Sequence, residues 1–210
     1  GLIYIHDSYG LLHNDITPRN IILEQVGPDT YSPKIIDLGH MSRGVGGVPP
    51  FPVDDLTLQY CAPETFTGCY EKKSDTFSAA AVLYSMLTGK APWDVEIPAG
   101  LKYPAKKKLV RNARKQPLET EGLVAKGLSK RDIDLLSACF ERDTDIRLTL
   151  NKFYELLVGK KLDSPIEDDW DTMAAQEEAV STTVQIKKKT GGGFADVAGM
   201  QKLKDELAKR

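Results

Sequence analysis

The stretch LLHNDITPRNIIL, residues 11–23, sets His13, Asp15 and Asn20 in the pattern H-x-D-x-x-x-x-N between two apolar runs. Pro18 interrupts the middle, so a carboxylate and a carboxamide sit together in a polar loop. Just beyond lies KIIDLG, residues 34–39, in which an apolar strand-like run ends on Asp37 and is followed by Gly39. NIILE and PKIID are short β-branched runs, and the QVGPDTYS between them carries Gly-Pro-Asp turn chemistry. A β-hairpin is therefore expected. An acid at the end of a buried strand, with a glycine that lets the backbone turn, can present its carboxylate to a metal. Mg²⁺ prefers oxygen ligands and usually takes one or two carboxylates plus substrate phosphates. Asn20 can add a neutral carbonyl oxygen, while Asp15 faces an incoming hydroxyl. Phosphoryl transfer is the chemistry this division of labour suits.

The bulk composition restricts the alternatives. With 41% hydrophobic and 28% charged residues, the 210-residue chain has the makeup of an ordinary globular protein with a real core. A formal net charge of −2 gives no general argument for nucleic-acid or membrane binding. Cys61, Cys69 and Cys139 are odd in number and form no C-x-x-C pair, which speaks against a disulfide framework or a zinc site and for a reducing, cytoplasmic setting. No apolar run approaches the ~20 residues that span a bilayer. The chain opens at Gly1 inside a helical pattern, without Met or cap, and reads as a fragment.

Outward from the central loop, GLIYIHDSYG has apolar residues at 2, 3 and 5 and ends on Gly10, which predicts a helix packed on a core. Residues 40–59, rich in Gly and Pro, read as a long loop. SDTFSAAAVLYSMLTG, from Ser74 to Gly89, is apolar almost all round and predicts a helix buried on most sides. SKRDIDLLSACF opens with Ser129 and Asp132, a capping-box-like pair, and carries Ile133, Leu135, Leu136 and Phe140 inward. LTLNKFYELLVG predicts a further helix with Thr149 as N-cap and Gly159 as stop. KYPAKKKLVRNARK, 102–115, is a basic run whose plain reading is a solvated helix face, with docking of an acidic or phosphorylated partner as the alternative. From 159 to 193 the chain is acidic, then basic, then glycine-rich, the composition of a disordered linker.

Taken together, HNDITPRN, DLG and APE (Ala62, Pro63, Glu64) resemble the H-R-D-L-x-x-x-N, D-F-G and A-P-E signature of eukaryotic-type protein kinases, in the same order. The resemblance covers residues 1–158 and implies a Ser/Thr-like protein-kinase C-lobe: mostly α with a small β-hairpin (α+β), the N-lobe absent, followed by a disordered linker and a C-terminal helix. It implies that Asp15 accepts the substrate hydroxyl proton and that Asn20 and Asp37 hold Mg²⁺ against the phosphates of ATP, with Gly39 at the same nucleotide site. It further implies that Asp75 hydrogen-bonds the backbone of the catalytic loop, that Glu64 pairs with Arg147, and that His13 is a packing and hydrogen-bonding residue. In TLQYCAPE, Thr57 matches the threonine of T-x-x-Y-x-A-P-E, which in Ser/Thr-type kinases hydrogen-bonds the catalytic aspartate. A solvated loop threonine is the plainer alternative.

The pattern also departs from the family. Asn14 replaces the arginine of H-R-D, which would pair with an activation-loop phosphate, so the 37–64 segment is expected to be ordered without phosphorylation. Thr17 stands where lysine is usual, and it offers one neutral hydrogen bond in place of a charge. No Gly-rich loop or strand lysine precedes Gly1, so these residues alone are expected to have negligible kinase activity. GVGG at 44–47 is not a substitute, and His6, His13 and His40 do not form a ligand set by spacing.

FADVAGMQKLKDELAKR, 194–210, resembles the opening of an AAA-type ATPase module, whose phosphate loop would lie downstream. The expected whole is thus a kinase that uses ATP and Mg²⁺ on Ser/Thr hydroxyls of protein substrates, fused to an AAA-type ATPase, with neither nucleic acid nor membrane as partner. Two other readings stay open: a degenerate kinase fold acting as a sensor or docking module for that ATPase, and a small-molecule phosphotransferase.

Overall fold

The computed structural model describes residues 1–43 and 55–158. GVGG at 44–47, the linker at 159–193 with Gly159, and the AAA-like segment at 194–210 lie outside the described residues. The described chain is mostly helical, with one two-stranded antiparallel sheet.

Helix α1 (Leu2–Ser8) turns its Leu2 and His6 inward, and the chain reverses at Gly10, whose φ of +61° suits a residue without Cβ. The loop bearing His13 and Asp15 follows and closes in a 3₁₀ turn at Pro18–Asn20. Strands β1 (Ile21–Gly27) and β2 (Thr30–Ile35) then pair with Ile21 opposite Ile35. The run expected to be a buried strand ending on Asp37 is buried only in part, since Ile35 packs against the core while Lys34 and Ile36 are exposed. Ile22, Leu23, Val26 and Tyr31 are each about half exposed or more, and only Ile21 and Ile35 pack against the core. The sheet meets the core only at that end, and its remaining apolar side chains stay exposed. The long loop expected over 40–59 is also corrected at both ends. Leu38–His40 forms a 3₁₀ turn and Asp55–Tyr60 is helix α2.

The all-round apolar segment is helix α3 (Lys72–Thr88), two residues longer at its start than its apolar pattern. Glu71 and Ser74 form a reciprocal capping box, satisfying N-terminal amides, and Gly89 ends the helix at φ +80°. Phe77, Ala80, Ala81 and Tyr84 of α3 lie at the centre of the main core. Phe140 meets Phe77 and Trp93 edge-to-face at centroid distances of 5.1 and 5.3 Å. Each such pair contributes about 0.5–1.5 kcal/mol beyond area burial.

Helices α4 (Tyr103–Ala113), α5 (Glu121–Ala125), α6 (Lys130–Ala138) and α7 (Leu150–Val158) surround α3 or support its neighbours. Ser129 and Asp132 do form the capping box of α6. Leu136 is buried, Ile133 and Leu135 are half-buried against the core, and Phe140 lies just past the helix end. The Thr149 hydroxyl accepts from the Lys152 amide at 3.2 Å, capping α7. No helix among the described residues is long and apolar enough to cross a membrane.

Candidate active site

The hairpin register brings the two ends of the site together. Ile21 opposes Ile35, and the Ile36 amide donates to the Asn20 carbonyl at 2.9 Å, so Asn20 and Asp37 flank the same end of one ladder. Asp15 lies on the loop entering that ladder and is 5% exposed. Asn20 donates its Nδ2 to the Asp15 carbonyl at 2.7 Å and to Asp15 Oδ2 at 2.8 Å. With its nitrogen so engaged, the Asn20 amide keeps its Oδ1 as an acceptor for something else. The Thr57 hydroxyl donates to Asp15 Oδ1 at 2.8 Å, and Nδ1 of His40 stands 3.3 Å from Oδ2. Two hydrogen-bond donors and a neighbouring imidazole, from three segments, thus surround one buried carboxylate.

Asp37 is exposed, and its backbone is left-handed at φ 60°, ψ 67°. That conformation is uncommon for a residue with a side chain and costs about 1–3 kcal/mol. Its Oδ1 lies 3.3 Å from where a Cβ on Gly39 would stand, so a larger residue there would press on the carboxylate. Asp37 and Asn20 therefore offer one carboxylate and one carbonyl oxygen, the donor chemistry Mg²⁺ takes when phosphates supply further ligands. Among the described residues, no group of three or more His, Cys, Asp or Glu side chains is placed to hold a metal alone.

Behind these groups, Asp75 of α3 organises the loop. Its Oδ2 accepts from the His13 amide at 2.7 Å and faces His6 Nε2 at 2.8 Å, and its Oδ1 accepts from the Asn14 amide at 2.9 Å. His13 is fully buried. The Asp15 amide donates to His13 Nδ1, which fixes the proton on Nε2, and Nε2 donates to the Ile36 carbonyl at 3.2 Å. Burial holds the His13 pKa below the ordinary histidine value, against the pull of nearby Asp75, so the ring is neutral as this tautomer requires.

Glu64 and Arg147 form a bidentate pair at 2.6 and 2.9 Å, and Ser74 adds a 2.7 Å hydrogen bond to the same carboxylate. Arg147 is buried and also donates to the Glu141 and Lys73 carbonyls. Burial raises the Glu64 pKa, but the Arg147 and Ser74 hydrogen bonds outweigh it and hold the carboxyl below its usual range.

Several contributors escape a motif reading. His40 reaches Asp15 from the position after D-L-G, and His6 reaches Asp75 from α1. The only sequence signal for His6 was its place four residues after Leu2, on the same helix face. Asn14, at φ 67°, donates its Nδ2 to the His40 carbonyl at 2.7 Å and to the Ser42 hydroxyl at 2.8 Å, while Leu12 and Ser42 exchange backbone hydrogen bonds. Thr17 is 1% exposed, and its hydroxyl has no hydrogen-bond partner among the described residues.

The family model for the protein kinase domain matches residues 1–157. The chain is a member of that family. Among its relatives, the receptor-like serine/threonine-protein kinase ALE2 of Arabidopsis thaliana is 33% identical over 127 residues, 59% of this chain and 16% of ALE2. Serine/threonine-protein kinase 12 of the same plant is 33% identical over 97 residues, 44% of this chain and 20% of the relative. The chain spans a fifth or less of these curated kinases. A crystal structure of Rad53 1-466 in complex with AMP-PNP aligns with 72% of this chain and 35% of the other, at 27% identity and a TM-score of 0.49.

Proposed function

We propose that the protein transfers the γ-phosphoryl group of ATP to serine or threonine hydroxyls of protein substrates, and that residues 1–158 are the C-terminal lobe of its kinase domain. The observation that carries this reading is the hydrogen-bonded set around Asp15, with Thr57 on one carboxylate oxygen and Asn20 on the other, at the hairpin end shared with Asp37. Asp15 orients the acceptor hydroxyl and takes its proton as the hydroxyl oxygen bonds to phosphorus. The bond from phosphorus to the β–γ bridging oxygen breaks, and ADP leaves with that electron pair. Asn20 Oδ1 and the Asp37 carboxylate would hold Mg²⁺, which supplies positive charge against the phosphates when bound. Catalysis on this reading is positioning and electrostatics, with no covalent enzyme intermediate.

A second reading is favoured by one observation. Thr17, two residues after Asp15, carries no positive charge, and its buried hydroxyl has no hydrogen-bond partner among the described residues. A degenerate kinase module that senses or docks, controlling an AAA-type ATPase begun by residues 194–210, would tolerate that loss.

The test uses the full-length protein carrying these residues. Transfer of labelled phosphate from ATP to serine and threonine peptides is expected, and Asp15→Asn should lower it by about 100-fold or more, the range for losing a general base. Transfer undiminished in Asp15→Asn would remove Asp15 from the role of base, and absence of both transfer and nucleotide binding in the unaltered protein would refute the kinase reading. Nucleotide binding without transfer would establish the sensor reading.

A further inference from the structure

A cleft of about 540 Å³ opens where the end of α4 meets the chain between α6 and α7. It shares no residue with the Asp15 site. Its walls combine two kinds of surface. Trp93 and Phe140 form an apolar side, held by their mutual edge-to-face contact and by the Trp93 indole N–H donating to the Gln116 carbonyl at 3.0 Å. The exposed Lys115 and Arg142 bring positive charge against the single carboxylate of Glu141, with the buried Arg114 beneath them.

Arg114 is the unusual member. It is 6% exposed and makes no ion pair with a carboxylate among the described residues. Its Nη2 donates to the Leu58 and Gln59 carbonyls, which do not line the cleft, at 3.0 Å each, and its Nε and Nη1 are buried with no hydrogen-bond partner among the described residues. The guanidinium lies 5.3 and 5.1 Å from the ring centroids of Phe66 and Phe77, which offsets part of its desolvation. Arg142 donates to the Arg114 carbonyl, tying the exposed cation to the buried one. Lys115 is exposed beside them. A cleft with two exposed cations against one carboxylate and a rigid aromatic wall is complementary to anionic groups flanking an apolar side chain.

We propose that this cleft is a docking site for an acidic peptide segment of a partner protein, its carboxylates meeting Lys115 and Arg142 and an apolar side chain resting on Trp93 and Phe140. This goes beyond phosphoryl transfer, since it assigns a recognition surface outside the residues that would handle ATP.

The experiment is fluorescence anisotropy of the 210-residue chain with a labelled peptide in which one leucine is flanked on each side by two glutamates. Saturable binding is expected, and loss of binding when the glutamates become glutamines. Lys115→Glu combined with Arg142→Gln should weaken binding by about 10-fold or more, equivalent to ~1.4 kcal/mol. Lys108→Glu, on an exposed position of α4 outside the cleft, should change it less than about 2-fold, the scale of screened surface charges. Should the double variant fail to fold by circular dichroism, Ser137→Glu introduces a negative charge into the same wall and carries the same expectation. No binding overturns the proposal, and so does an equal loss in Lys108→Glu, which would mean unspecific charge attraction. Binding of a phosphoserine peptide but not the glutamate peptide also overturns it, in favour of phosphate recognition.

Discussion

Thr57 Oγ1 and Asp15 Oδ1 are 2.8 Å apart although 42 residues separate them in the chain, so the segment before A-P-E is stitched to the loop that carries the proposed base. Hydrogen bonds to charged groups are worth about 1.5–3 kcal/mol. On the proposed reading, Thr57→Ala in the full-length protein lowers kcat by about 10-fold or more, while Thr57→Ser, which keeps the hydroxyl, restores most of it. Steady-state phosphotransfer kinetics check this. An unchanged kcat in Thr57→Ala would mean that Asn20 and His40 hold Asp15 sufficiently by themselves.

Glu64 and Arg147 form the kind of pair whose halves cannot be separated cheaply. Removing one partner of a buried bidentate pair typically costs about 3–5 kcal/mol, because the other charge is left without compensation. Arg147→Met should therefore lower the unfolding midpoint sharply in denaturant melts. The double change Arg147→Met with Glu64→Gln should be less damaging than the sum of the singles. Additive losses would show the pair to be uncoupled.

Asn14 fastens the chain after D-L-G by neutral hydrogen bonds to the His40 carbonyl and the Ser42 hydroxyl, where the usual arginine would need a phosphate. Ser42→Ala is expected to leave the protease sensitivity of residues 37–64 nearly unchanged, since the Leu12–Ser42 backbone bridge persists. Asn14→Ala, losing both side-chain bonds, should raise it. Dependence of an ordered segment on phosphate at Ser42 would contradict this.

Acid should destabilise the fold in two stages. The folded His13 pKa lies below the ordinary 6.5, so the unfolded chain binds the extra proton first. The stabilisation is complete above pH 6.5 and is lost as pH falls from there through the lowered folded value. Glu64, also depressed, contributes above its ordinary 4.5 and loses that contribution as pH falls through its folded value. Unfolding midpoints against pH should decline in both windows. In His13→Gln the upper window should flatten, and persistence of the full decline would assign it elsewhere.

The cysteines should react unequally. Cys69 is exposed, whereas Cys61 and Cys139 are buried, and burial pushes the Cys139 thiol up to about 12. A maleimide reagent at neutral pH should label Cys69 in the native protein and reach the other two only after unfolding. Mass spectrometry of the labelled peptides reads the outcome directly.

The sequence made the long α3 helix legible because small and apolar residues cover almost every face of it from a polar start to Gly89. It made α6 and α7 legible because Ser129 and Thr149 are helix-starting residues with local geometry. The hairpin was visible in its turn residues, but its exposure was not, since strand burial depends on what packs across it and not on β-branched runs. Helix α2 was lost in a Gly- and Pro-rich stretch, being too short for any periodicity to register. Around the candidate site, the loop motif pointed to Asp15 and Asn20 and the strand-end pattern to Asp37, with their proposed roles coming from the family resemblance. His6 and His40 could not, because each acquires its partner through tertiary contact, with Asp75 and Asp15 respectively.

Asp75 has a consequence of its own. One side chain anchored in the central helix receives the amides of two successive loop residues and faces an imidazole from the opening helix. The loop has no independent hinge at that point, so it should not soften before the molecule as a whole does. Heating should therefore abolish the local architecture around residues 13–15 in the same cooperative step that melts the interior, and amide exchange at His13 and Asn14 should be as slow as that of the helix beneath them.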